Sequence, residues 1–80
     1  MEKLNKTKYR IMEVLQENAG KNGCSYITQQ EIAEEIGKTK LTVLRTLASL
    51  VQDGYVKPDE KHTARYYLTD KALQTLKERA

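Results

Sequence analysis

The segment ITQQEIAEEIGKTKLTVLRTLASLVQDG, residues 27 to 54, decides how this chain folds. Thr28 is followed three positions later by Glu31, the spacing of a capping box, in which a hydroxyl and a carboxylate each hold the other residue's backbone N–H at a helix start. Ile32, Ala33 and Ile36 then recur at helical spacing, and Gly37 ends the run with a residue free to take positive φ. Beyond Lys38 and Thr39 a second helix is predicted over 39–53. Val43, Leu44, Leu47, Leu50 and Val51 fall at i, i+1, i+4, i+7 and i+8, one apolar stripe. Gly54 stands just past its end, where a left-handed cap is wanted.

Two short helices about a glycine-containing turn make a helix-turn-helix. Glu31, Glu34 and Glu35 give the first helix an acidic outer face, whereas Lys38, Thr39, Lys40, Thr42, Arg45 and Thr46 make the start of the second basic and hydroxylic. Such a helix suits phosphate contact and base-edge reading in a major groove. The plainer reading is a solvated face; the turn before it and the segment after Gly54 favour the first.

The 80 residues are enough for one domain, 1–80, with a modest core. Apolar residues at 39% and charged residues at 31% exclude a disordered or a membrane-embedded chain. No apolar run approaches the roughly 20 residues that span a bilayer, and MEKLNKTK lacks the apolar stretch of a secretory signal, so a cytoplasmic protein is expected, with no membrane partner. A net charge of +3 permits nucleic-acid binding without establishing it. One cysteine, Cys24, and one histidine, His62, exclude an internal disulfide and a typical structural zinc site.

Residues 5 to 19 are predicted as a first helix with Asn5 or Thr7 as its cap; Ile11, Val14 and Leu15 face the core, with Leu4 and Met12 beside them. Asn18 to Gly23 is turn chemistry, and Ser25-Tyr26-Ile27 a short extended segment. After Gly54 the period changes. Tyr55-Val56-Lys57 and Arg65-Tyr66-Tyr67-Leu68 are strand-like about a polar turn, so 55–68 is a hairpin in which one of Tyr66 and Tyr67 joins the core and the other faces out. Thr69 and Asp70 open a last helix with Ala72, Leu73 and Leu76 as its stripe and Lys77 and Arg79 near its C-terminal dipole.

In order and spacing these elements resemble a winged helix-turn-helix domain of the kind found in MarR-type prokaryotic and archaeal transcription regulators. The resemblance rests on the Thr-capped helix with "IA" at its middle, the Gly turn, "TV" in the second helix, the "L..L...G" that leads into a first wing strand, and YYLTDKA at the passage into the last helix. It implies an α+β, mainly α fold: a three-helix core, a two-stranded β-hairpin wing and a C-terminal helix. It also implies site residues. Val43, Leu47 and Leu50 would pack on the core; Thr39 would cap the recognition helix, and Lys40, Thr42 and Arg45 would face DNA. Thr28 and Gln29 would begin a helix that holds a phosphate, and Lys57, Lys61, His62 and Arg65 would belong to the wing. Leu41 and Leu44 depart from the family, which has small or polar residues there. Inward packing is expected of them; thymine-methyl contact and a surface for another protein are the alternatives. Ala72 replaces the family's glycine after "LT".

Arg45 is the expected base contact, since a guanidinium binds guanine O6 and N7 together, with an ion pair to a neighbouring acid as its alternative. Lys40 and Lys61 suit phosphate. His62 is expected as a solvated loop residue, and Cys24 as an idle thiol near the surface. The chain offers no phosphate-binding glycine loop and no clustered carboxylates except the helical glutamates. The expectation is therefore a double-stranded DNA-binding regulator, not an enzyme, without cofactor, metal or small-molecule ligand, acting by promoter occlusion. A homodimer is expected, with Leu4, Met12, Leu73 and Leu76 as the candidate contact surface. The alternative is a winged helix used as a protein-interaction module in a replication or transcription complex.

Overall fold

The computed structural model describes residues 4–21, 23–61 and 65–79. The elements run α1 (Lys6–Glu17), α2 (Gln29–Ile36), α3 (Lys40–Gln52), β1 (Val56–Pro58), β2 (Tyr66–Leu68) and α4 (Asp70–Arg79). Each helix start carries the hydroxyl or amide that the sequence offers for it. Asn5 Oδ1 accepts from the Lys8 N–H at 2.9 Å, so α1 starts one residue after Asn5, and it ends two residues before Ala19. At α2 both halves of the capping box form: Glu31 N–H to Thr28 Oγ1 at 3.1 Å, and Thr28 N–H to Glu31 Oε1 at 3.0 Å. Thr39 Oγ1 accepts from the Thr42 N–H at 3.2 Å and caps α3. Thr69 does the same for α4, accepting from the Ala72 N–H at 3.3 Å.

Gly37 closes α2 at φ 69°, which lets the Lys38 N–H reach back to the Ala33 carbonyl at 3.0 Å. That reversal sets the angle between α2 and α3. Gly54 takes φ 83° after α3, as its position predicts.

The strands pair antiparallel, Val56 with Leu68, Lys57 with Tyr67 and Pro58 with Tyr66. On the other edge of β2, Cys24 bridges to Tyr67, and the Ser25 N–H donates to the Tyr66 carbonyl at 2.9 Å. The residues before α2 thus act as a one-residue third strand. This overturns the expectation for Cys24, which is 1% exposed where the bridge seats it beside Tyr67. A crosslink between two copies through this thiol needs the edge to open first.

One core holds the elements together: Ile11, Met12, Val14 and Leu15 of α1, Ile32 and Ala33 of α2, Val43, Leu47 and Leu50 of α3, Tyr55 and Val56, and Ala72 and Leu76 of α4. Ala72 is fully buried, where the family's glycine would stand. Tyr66 packs on the core from β2, and Tyr67 faces the other side, as the strand alternation predicts. Four expectations fail on burial, three of them on α3. Leu44 and Val51 are each 37% exposed and Leu41 is 56% exposed, because Val43, Leu47 and Leu50 alone fill the stripe α3 turns inward. Leu73 is likewise open. Of the proposed dimer contacts, Met12 and Leu76 are core residues and Leu4 is half-buried against the core; only Leu73 stands exposed.

Candidate nucleic-acid interface

The outward face of α3 follows from which residues it buries. With Val43, Leu47 and Leu50 inward, the opposite side presents Lys40, Leu41, Leu44, Arg45 and Ala48, all exposed. Lys38 and Thr39 in the turn before it are exposed as well. Thr42 is half-buried beside the cap, its hydroxyl 3.0 Å from that of Thr39. Thr46 is half-buried too, and its hydroxyl donates to the Thr42 carbonyl at 2.8 Å, so its proton is turned back onto its own helix.

The ion pairs among the described residues lie away from the outward face of α3. Arg10 joins Glu17 at 3.3 Å and Glu35 at 3.5 Å. Lys8 meets Asp53 at 3.7 Å, and Arg79 meets Glu13 at 4.0 Å while lying 4.1 Å from the Tyr9 ring centroid. These pairs sit on α1, the outer side of α2, the end of α3 and α4. Among the described residues, Lys38, Lys40, Arg45, Lys57 and Lys61 form no ion pair. The ion-pair alternative for Arg45 is therefore not realised. The acidic side of α2 (Glu31, Glu34, Glu35) lines a cleft with Glu17, Asn18 and Ile27 at the end of α1, to which α3 contributes nothing.

The start of α2 is less open to a phosphate than its sequence suggests. The Thr28 N–H is taken by Glu31, whose carboxyl this backbone bond and the Thr28 hydroxyl hold below its ordinary value of 4.5. An ionised carboxylate already answers the helix dipole there. Gln29 also turns inward: its Nε2 donates to the Tyr66 hydroxyl at 3.1 Å.

In the hairpin, Lys57 and Lys61 are exposed but share a cleft with Asp59 and Glu60, so this part of the wing is close to charge-balanced. Tyr67 lines the same cleft. Burial, the hydrogen bond with Cys24 and the Asp59 charge raise its phenol above the ordinary 10.0. Arg65 stacks just before β2, on the turn side of the hairpin, its guanidinium 4.7 Å from the Tyr26 ring centroid, a contact that orients the group and leaves its charge intact. His62 lies outside the described residues. Tyr26 is the residue that sequence reasoning missed; nothing local links it to Arg65, and only the bridge between Cys24 and β2 brings the two together.

The site thus comprises a recognition helix with an unpaired basic and apolar outer face and a hairpin at its side. A family model described as winged helix-turn-helix DNA-binding matches residues 4–57. No curated protein matches the chain by sequence. Among solved structures, the Mycobacterium tuberculosis transcriptional regulator MosR superposes with a TM-score of 0.77 at 25% identity over 94% of this chain and 52% of its own. The same regulator in complex with DNA gives 0.76 at 26%, over 94% and 55%. A MarR-family protein of M. tuberculosis in complex with p-aminosalicylic acid, at 17% identity, shares the fold with a TM-score of 0.75, over 94% of this chain and 55% of its own. The chain spans about half the length of these structures. With its four helices, antiparallel hairpin and matched family model, the chain belongs to the winged helix-turn-helix DNA-binding family.

Proposed function

We propose that residues 1–80 act as one DNA-reading unit of a transcriptional regulator that binds duplex DNA by sequence and occludes a promoter. In this reading α3 enters the major groove, Lys38 and Lys40 meet phosphates, Arg45 meets a guanine, and the hairpin lies on the flank with Lys57, Lys61, His62 and Arg65. The unit works in the cytoplasm as a homodimer, because one short helix reads few base pairs, with half-sites roughly 34–36 Å apart. It takes no cofactor and no small-molecule ligand and performs no catalysis.

The observation that carries the reading is the exposed basic face at the start of α3, which no acid of the described residues neutralises. Lys8, Arg10 and Arg79 are paired with acids on α1, α2 and the end of α3, whereas Lys38, Lys40 and Arg45 stand exposed and without an ion pair on the turn before α3 and on its outward face. Likeness to a regulator solved with DNA supports it. Because Thr46 and Gln29 are engaged within the protein, and the Thr42 hydroxyl is bonded to that of Thr39, Lys40 and Arg45 are the contacts that matter most.

The exposed leucines on α3 favour a second reading, a protein-interaction module. The two separate on DNA binding. Duplexes selected from a random pool are titrated with the protein at several salt concentrations. If each of two subunits neutralises about three phosphates, log K falls with log salt at a slope of roughly −5, and Lys40→Ala with Arg45→Ala flattens it. Failure to bind any duplex, or a slope near zero, leaves the interaction module standing.

A further inference from the structure

Leu41 and Leu44 are 56% and 37% exposed. With Arg45 and Ala48 they occupy positions related by i, i+3, i+4 and i+7, one outward face of α3, and Lys40 is exposed next to them. An occupant of this face has two demands to meet. It must cover two isobutyl groups, and it must supply negative charge to cations that have no ion pair within the protein. The apolar face of a partner helix, or of a second copy, meets the first demand but takes Lys40 and Arg45 out of water without a counter-charge, which is costly. Duplex DNA meets both. Phosphates line the walls of the major groove, and on its floor the C5-methyl of thymine is the apolar group.

We infer that Leu41 and Leu44 are specificity-determining residues that read thymine, each by packing on a C5-methyl group while Arg45 holds the adjoining guanine. The inference rests on the DNA-binding function proposed above and adds the base class that the site selects. Leu41 and Leu44 are separated by about 4.5 Å along the helix axis. That is on the scale of the roughly 3.4 Å step between base pairs, so the two leucines reach the same or adjacent steps. Ala48, short and one turn on, lets α3 seat close to the groove.

The test replaces thymine by deoxyuridine, one position at a time, in the duplex selected above. Deoxyuridine keeps pairing and charge and lacks only the methyl group. Wild-type affinity falls about fourfold at each contacted position, the effect of exposing one buried methyl group. Leu41→Ala and Leu44→Ala weaken binding to the thymine duplex and each abolish the thymine–deoxyuridine difference at its own position. Equal affinity for every thymine and deoxyuridine duplex overturns the inference while the DNA-binding function stands. So does a Leu41→Ala protein that loses self-association in sedimentation but keeps its DNA affinity, since a second copy then covers the face. Absence of binding to any duplex overturns both.

Discussion

Gln29 and Tyr66 are joined by a 3.1 Å hydrogen bond from the carboxamide of the first residue of α2 to the phenol of the first residue of β2. The bond ties the helix-turn-helix to the hairpin, so the wing's position depends on α2 as well as on its own turn. Tyr66→Phe keeps the ring on the core and removes only this bond. Stability falls by about 1 kcal/mol, the worth of a partly buried neutral hydrogen bond. Thermal melting reads this as a Tm lower by roughly 4–8 °C. An unchanged Tm would show that water replaces the phenol without loss.

Gly37 sits at φ 69°, and a Cβ built on it meets nothing within 4 Å. The cost of Gly37→Ala is therefore backbone strain alone, about 1–2 kcal/mol. Gly37→Asn, which tolerates the left-handed region better, costs less. Urea melts of the two variants check the order, and equal midpoints would place the constraint elsewhere in the turn.

Ser25 is 1% exposed, and its hydroxyl has no hydrogen-bond partner among the described residues. A buried donor left unmade costs about 1–3 kcal/mol. Ser25→Ala removes the hydroxyl while keeping the backbone bond to Tyr66, and stability rises by about 1 kcal/mol. A destabilised Ser25→Ala protein would mean that the hydroxyl is satisfied in solution.

Glu31 has a lowered pKa through its bonds to Thr28, so its contribution to stability is present above the ordinary value of 4.5 and is lost as pH falls through the folded value. Tyr67 has a raised pKa, so its contribution is present below 10.0 and is lost as pH rises beyond that. Glu31→Gln preserves the capping geometry without the charge. The wild type is the more stable of the two at pH 7, and the difference vanishes in acid. Parallel melts between pH 2 and 7 measure it; a difference that persists in acid would point to a cause other than the carboxylate.

Cys24 is 1% exposed and bridged to Tyr67. A thiol reagent labels it only as fast as the protein opens, and denaturant restores full reactivity. Prompt labelling of the native protein would show that this sheet edge frays.

The sequence by itself determined the elements and their caps, because these depend on neighbours within four or five residues. The Thr28–Glu31 box, the Thr39 cap, the left-handed glycines and the hairpin about a polar turn all follow from local chemistry, and their order is specific enough to name the fold. Burial was legible only in part. Periodicity marks Val43, Leu44 and Leu47 alike as apolar, and only the packing of α1, α2 and the hairpin around α3 decides that Leu44 faces out. The same holds for the site. Lys40 and Arg45 are readable as basic residues at a helix start, but that they stand without ion pairs depends on where Arg10, Lys8 and Arg79 place the molecule's acids. Contacts between residues far apart in sequence, Gln29 with Tyr66, Arg65 with Tyr26 and Cys24 with Tyr67, were settled by the tertiary structure. No local pattern encodes them; the register of one short edge does.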